Sequence, residues 1–301
     1  MIQIKNLTKS YSNGVVSLDR VTLDIPKGSV VGLIGTNGAG KSTLLRILSG
    51  ILREDEGELT VEGESVFENI EIKKKISFIS DEGYLLGGFT LEGMAEIYAS
   101  MRENFSFETF KSLCESMKLD PKRRISTFSK GMKRQGEVIL ALSSGTEYLF
   151  FDETFDGLDP IARENARRMI AECVTDGNAT VILSSHNLSE IESICDSIAL
   201  LDRGRLIFKK SVEEAMNDTR KYQAVLEREI DLGLLGEDFF RPRQSGKLIT
   251  FISSLTDGEV EAKFRELYPD VSTVYLESVP LTLEEIFSLE VERAQAKEGQ
   301  K

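Results

Sequence analysis

Residues 29–48, SVVGLIGTNGAGKSTLLRIL, leave few folds open to the chain that carries them. SVVGLIG is short, continuously apolar and rich in β-branched residues, the pattern of a strand buried on both faces. TLLRILSGIL then sets Leu44, Leu45 and Leu48 at helical spacing. Between strand and helix, GTNGAGKST at 35–43 matches G-x-x-x-x-G-K-[ST]. Gly35, Gly38 and Gly40 permit a tight loop, so that successive backbone N–H groups, those of Thr36, Asn37 and Ala39 among them, turn inward around phosphate oxygens. Lys41 is placed to reach the β- and γ-phosphates of a nucleotide and Ser42 to bind Mg²⁺. Thr43 closes the motif at the start of a helix whose dipole favours the anion. Strand, glycine loop and helix in this order imply an α/β nucleotide-binding fold.

A second segment points to the same chemistry. EYLFFDE, residues 147–153, is an apolar strand ending in two acids. At the C-terminal end of a parallel strand, Asp152 can hold magnesium through water. Glu153, beside it, can polarise an attacking water as a general base. Further strands are expected at KKISFIS, ATVILSS and DSIALLD. Strands alternating with helices predict a mostly parallel sheet covered on both faces. MIQIKNL alternates as a half-buried strand does, with Ile2, Ile4 and Leu7 apolar. Residues about 83 to 145 lack strand patterns and carry helical ones, in TLEGMAEIYASM and GMKRQGEVILALS, so a helical insertion between two core strands is expected. The first domain is read as 1–215. From 216 to 301 the pattern changes to a small separate α/β unit, in which KLITFIS and VSTVYLE flank a helix with Val260, Phe264 and Leu267 on one face. Thr282 and Glu285 near its end have capping-box spacing.

Composition narrows the function. With 37 Lys and Arg against 50 Asp and Glu, the net charge is −13. Such a surface repels phosphate backbones, so no nucleic-acid partner is expected, although one nucleotide in a small basic pocket is compatible. Cys114, Cys173 and Cys195 are widely spaced and show no metal-ligand pattern, which suits a reduced compartment. The N-terminus has no apolar signal segment, and no apolar run approaches the ~20 residues that span a bilayer. Membrane contact is therefore expected only through a partner chain.

With these motifs in place, residues 1 to about 215 resemble the nucleotide-binding subunit of an ATP-binding-cassette (ABC) transporter, a P-loop, RecA-like ATPase core with a helical subdomain. FSKGMKRQ, 128–135, is similar to that family's signature, with Lys130 and Met132 in place of the commonest glycine and glutamine. In such proteins two cassettes clamp two ATP molecules head to tail. The resemblance implies that Ser129 and the Gly131 backbone touch the γ-phosphate held by the other cassette. FDGLDP, 155–160, resembles the loop that crosses between cassettes, with Asp159 its acid; by itself it reads as a turn, given Gly157 and Pro160. Tyr11 matches the aromatic that stacks on adenine, and an exposed strand tyrosine is the alternative reading. His186, the only histidine in the chain, falls where the family has its switch histidine, which hydrogen-bonds the γ-phosphate and aligns water and Glu153. Asp81 falls on the position whose side chain meets Mg²⁺ and the attacking water, with Glu82 the one-residue alternative.

The resemblance implies an ATP- and Mg²⁺-dependent ATPase that powers an exporter. Its partners would be a separate transmembrane permease subunit and a second cassette, identical or closely related. The chain would sit in the cytoplasm, peripheral on the inner face of the cell membrane. The single cassette and short C-terminal unit look like exporters of peptides, antibiotics and lipids, and FSKGMKRQ looks most like the group that includes exporters of phenol-soluble-modulin-type peptides. The alternative is a soluble cassette ATPase that remodels ribosomes or nucleic acid. A P-loop GTPase is a third class, but MKLD at 117 lacks the asparagine that guanine reading needs. Two further readings stay open. Tyr84, Leu85, Leu86 and Phe89 either dock the membrane partner or belong to the helical core. The C-terminal unit either holds two cassettes together or regulates them, or it is an inert extension.

Overall fold

The computed structural model describes residues 1–155, 158–177 and 179–299, and the chain divides into two compact units, Met1–Lys209 and Lys210–Lys301. In chain order the first contains β1 (Ile2–Ser10), β2 (Val16–Ile25), β3 (Val30–Gly35), α1 (Lys41–Leu48), β4 (Glu56–Val61), β5 (Glu64–Ser65), α2 (Ile70–Lys74) and β6 (Ile76–Ile79). There follow α3 (Leu91–Met101), α4 (Phe107–Ser116), α5 (Lys130–Ser143), β7 (Tyr148–Asp152), α6 (Pro160–Gly177), β8 (Thr180–Ser184), α7 (Leu188–Ile194), β9 (Ser197–Asp202) and β10 (Arg205–Ser211).

Six strands form the central sheet in the order β10-β9-β3-β8-β7-β6, and the pairs β9/β3, β3/β8, β8/β7 and β7/β6 are parallel. Every residue of β3, β7 and β8 is buried, which is why those segments read as unbroken apolar runs rather than as alternations. A second sheet, β2-β1-β4-β5, is antiparallel. Its inward residues Ile2, Ile4, Leu18 and Leu23 share one core with Leu44, Leu45 and Leu48 of α1 and with Tyr148 and Phe150 of the central sheet. Helix α1 is thus held by apolar burial worth roughly 2 kcal/mol per large side chain, which anchors the loop that precedes it.

Between β6 and β7 the chain is helical. Helices α3, α4 and α5 each start at a hydroxyl cap: Thr90, Ser106 and Ser129 accept from the amides of Gly93, Thr109 and Met132. Among the described residues no helix is long and apolar enough to cross a membrane.

The C-terminal unit contains α8 (Val212–Asn217), β11 (Arg220–Leu226), β12 (Phe240–Ser245), β13 (Leu248–Ser253), α9 (Asp257–Leu267), β14 (Thr273–Pro280) and α10 (Leu283–Gly299). The strands form an antiparallel sheet, β12-β13-β11-β14. Val260 and Phe264 of α9 pack on Tyr222, Ala224, Phe251 and Ile249 of one sheet face, with Leu267 at the margin. Thr282 and Glu285 form the expected box: the Thr282 amide donates to Glu285 Oε2 at 3.1 Å and the Glu285 amide to Thr282 Oγ1 at 3.3 Å. The sequence pattern foresaw β13, α9, β14 and the capped start of α10, but not α8, β11 or β12. Strand β12 carries Pro242 and a left-handed Arg241 (φ 50°), features confined to edge strands and bulges, so its pattern is weak.

Candidate active site

The loop before α1 shows why glycine recurs in it. Gly38 and Gly40 have φ of 79° and 104°, and a Cβ on Gly40 would fall 2.5 Å from the Ser17 carbonyl oxygen. Gly40 caps α1, so the first amides of the helix face the loop. Lys41 folds back over the loop, donating from Nζ to the carbonyls of Gly35 at 2.8 Å and Thr36 at 3.2 Å. Thr36, Asn37 and Gly38 are exposed, Ala39 is buried and Ser42 is half-buried. Thr43 Oγ1 accepts from Ser17 Oγ at 2.8 Å and lies 3.0 Å from the Tyr11 hydroxyl. Tyr11 is just past β1 and partly exposed, so the antiparallel sheet places an aromatic ring beside the loop.

At the end of β7, Asp152 is fully buried. Its Oδ1 accepts from Ser184 Oγ at 2.6 Å, whereas Oδ2 is buried with no hydrogen-bond partner among the described residues. Glu153 then turns into the left-handed region at φ 47°, a strain on the order of 1 kcal/mol. The turn is held by its amide, which donates to both the carbonyl and the hydroxyl of Ser184 at 3.1 and 3.0 Å. It aims the carboxylate out of the strand: Oε1 lies 3.9 Å from Lys41 Nζ and Oε2 3.9 Å from His186 Nδ1. His186 is 63% exposed, beyond the end of β8. Behind it Ser185 Oγ donates to buried Glu190, which also pairs with Arg163 at 2.9 Å.

A second group forms at the start of α5. Ser129, Gly131, Gln135 and Asp159 line a cavity of about 430 Å³. Asp159 accepts from the amides of Ile161 and Ala162 through Oδ1, capping α6, and from Gln135 Nε2 at 2.8 Å through Oδ2. Asp156 and Gly157, part of the predicted crossing loop, lie outside the described residues. Asp81 follows β6 by two residues, with its carboxylate 3.6 Å from Arg46 of α1. Glu82 is exposed and has no ion pair among the described residues.

Sequence reasoning missed Ser184, Arg134 and Glu137. Arg134 donates to the carbonyls of Ser80 and Asp81, both at 2.6 Å, and to Glu137 at 3.0 Å. Glu137 in turn accepts from the Tyr84 amide at 3.0 Å. Both are buried, so the helix that begins with Ser129 grips the segment carrying Asp81. The signal was there: Arg134 and Glu137 stand three apart on a helix that continues VILAL. The four apolar residues of that segment divide. Tyr84 accepts from the Tyr98 hydroxyl at 2.8 Å and Leu85 packs near Gly136, so these two serve the helical core; Leu86 and Phe89 are 53% and 44% exposed.

A glycine loop capping α1, with a buried aspartate and an outward glutamate ending the next strand but one, defines a P-loop nucleotide-binding α/β protein. A profile described as ABC transporter matches residues 18–156. The chain is 33% identical over 219 residues to the lantibiotic transport ATP-binding protein SrtF of Streptococcus pyogenes, covering 72% of this chain and 93% of SrtF. It is 25% identical over 287 residues to the ABC transporter ATP-binding protein YtrB of Bacillus subtilis, covering 95% and 97%. A dimeric post-hydrolysis ATP-binding cassette bound to ADP and Pi has the same fold, with TM-score 0.64 at 21% identity over 70% of this chain and 99% of that one. The chain belongs to the family of ABC transporter ATP-binding subunits.

Proposed function

We infer that this chain is the ATP-hydrolysing subunit of a membrane exporter, working as a pair of cassettes on a separate membrane-spanning chain at the inner membrane face. The observation that carries the reading is the convergence of Lys41 and His186 on the Glu153 carboxylate, each at 3.9 Å. Lys41 and the loop amides hold the β- and γ-phosphates of ATP. Glu153 takes a proton from water as its oxygen attacks the γ-phosphorus, and ADP leaves. His186, past the end of its strand and beside Glu153, hydrogen-bonds the γ-phosphate and aligns the base. The Oδ2 of Asp152 and the Ser42 hydroxyl suit a hard cation, and these two residues would hold Mg²⁺. Bound there, the ion neutralises charge on the β- and γ-phosphates. Asp81, tied to both Arg46 and Arg134, is the acid that relates this site to the helical segment. Tyr11 stacks on adenine. The division into a cassette and an accessory unit is kept, with the boundary expected at 215/216 moved to 209/210 so that α8 stays whole in the accessory unit.

Ser129, the Gly131 amide and Asp159 complete the site of the second copy. Mixing Lys41→Ala with Ser129→Arg subunits tests this, because a mixed dimer has one doubly damaged site and one intact site. Equal mixing should restore up to about a quarter of the parent rate, since half the dimers are mixed and each keeps one site. No recovery at any ratio refutes assembly in trans.

Relatives named for lantibiotic and bacitracin transport support amphipathic peptides as the cargo, and the phenol-soluble-modulin type lies within that class. Leu86 and Phe89 dock the membrane chain. Leu86→Glu and Phe89→Glu should reduce co-purification with it at least about tenfold, with ATP binding unchanged. A complex that survives both changes removes the docking assignment.

A further inference from the structure

His186 sits on the short turn that runs from the end of β8 into α7, with 63% of its side chain exposed. A ring so exposed takes its direction chiefly from the backbone that carries it. The residues on either side, Ser185 and Asn187, are both held. The Ser185 hydroxyl accepts from the Asn187 amide at 2.9 Å, which closes a local turn across His186. The same hydroxyl donates to Glu190 Oε2 at 3.2 Å, and Asn187 Nδ2 donates to Glu190 Oε1 at 3.2 Å. Glu190 lies in the first turn of α7, where the helix dipole favours an acid, and it is only 4% exposed.

A carboxylate buried this deeply calls for a cation. Arg163 supplies it from a different helix, its Nη1 lying 2.9 Å from Glu190 Oε1. Arg163 stands in the first turn of α6, whose start is capped by Asp159 Oδ1 through the amides of Ile161 and Ala162. Its own amide donates to the Asp159 carbonyl at 2.9 Å and its Nη2 to the Leu158 carbonyl at 3.3 Å. The cation is therefore rooted in the start of α6, and the acid it meets is rooted in the turn that carries His186.

We propose that Arg163 and Glu190 are positioning residues for hydrolysis: the pair sets the turn Ser185, His186, Asn187 so that the imidazole faces Glu153. This rests on the reading of His186 as a working group of the ATP site, and adds to that site two residues that need not touch nucleotide. Stability alone does not account for the pair, because apolar side chains of similar volume hold two helices together as well as a buried ion pair does. What they would lack is the two acceptor oxygens that Ser185 and Asn187 use. With those gone the turn is free to shift, and a misplacement of about 1 Å at a reacting group can cost on the order of 10²-fold in rate.

Steady-state ATPase rates of the full chain, with ATP binding measured separately, test the proposal. Arg163→Met and Glu190→Gln should each lower kcat about tenfold or more, with the Kd for ATP unchanged within about twofold. Arg163→Lys keeps the cation and should lose no more than about threefold. His186→Ala separates positioning from simple support of the fold. In that background, followed over long incubations, the same two changes should alter the remaining rate by less than about twofold, because the ring they aim is gone. Equal fold-losses with and without His186, a fall in ATP affinity that matches the fall in kcat, or single variants at the parent kcat would each overturn the proposal. Circular dichroism at the assay temperature checks folding; if Arg163→Met does not fold, Glu190→Gln, which keeps the shape of the side chain, carries the same cycle. Full turnover by His186→Ala would remove the hydrolytic role of the histidine and this proposal with it. A crippled His186→Ala beside fully active pair variants would remove the proposal alone.

Discussion

Glu153→Gln is expected to lower ATP turnover by about 10²- to 10⁴-fold, the usual contribution of a positioned general base. The amide has the size of the carboxylate and keeps the left-handed turn, which the two Ser184 contacts to the backbone hold in place. Lys41 remains over the loop through Gly35 and Thr36, so ATP should bind about as well as in the parent. What the amide cannot do is accept the proton of the attacking water. Because hydrolysis normally reopens the clamped pair of cassettes, the variant should accumulate as an ATP-retaining dimer. Gel filtration with radiolabelled ATP reads both quantities. Turnover at the parent rate would show that Glu153 is not the base.

The second large effect is expected away from the phosphates. Arg134→Met removes the cation from a buried pair and leaves two carbonyls, those of Ser80 and Asp81, without that donor. Breaking one partner of a buried pair costs about 3–5 kcal/mol, so the melting temperature should fall by roughly 10 °C. Arg134→Met with Glu137→Leu should recover much of that loss, because no lone charge stays buried. The pH dependence separates this from simple loss of packing. Burial pushes the Glu137 carboxyl above its ordinary range, while Arg134 pulls it down. A carboxyl raised in the folded state contributes stability below its unfolded value of about 4.3 and loses it as pH rises through the folded value. Without Arg134 that rise is larger. The deficit of the single variant should therefore be small near acid pH and widen toward neutrality, and the double variant should show no widening. A single variant that melts with the parent at every pH would show that the pair does not hold the Asp81 segment.

Much of the cassette was legible in the chain because its chemistry is carried by local patterns. GTNGAGKST needs glycine where φ is positive, and a buried parallel strand needs an unbroken apolar run, so both leave marks that a short window reads. The cap at Ser129 and the box at Thr282 were visible for the same reason. Tyr84 and Leu86 were not separable, since a loop has no fixed period to say which apolar side chain turns inward. Strand β11 was also hidden, because its inward positions include the small Ala224 and its outward ones end in apolar Val225, which blurs the alternation.

The residue types at the site follow from the sequence by itself: a loop that wraps phosphate, an acid to hold a cation, an acid to take a proton, and one histidine. Their meeting does not. Lys41, Glu153 and His186 follow three different strands, and only the order β3-β8-β7 sets those ends side by side. The grip of Arg134 on Asp81 and the pairing of Arg163 with Glu190 are likewise products of packing. Pairing between distant strands is decided by the burial of whole faces, a quantity that no segment of the chain contains alone.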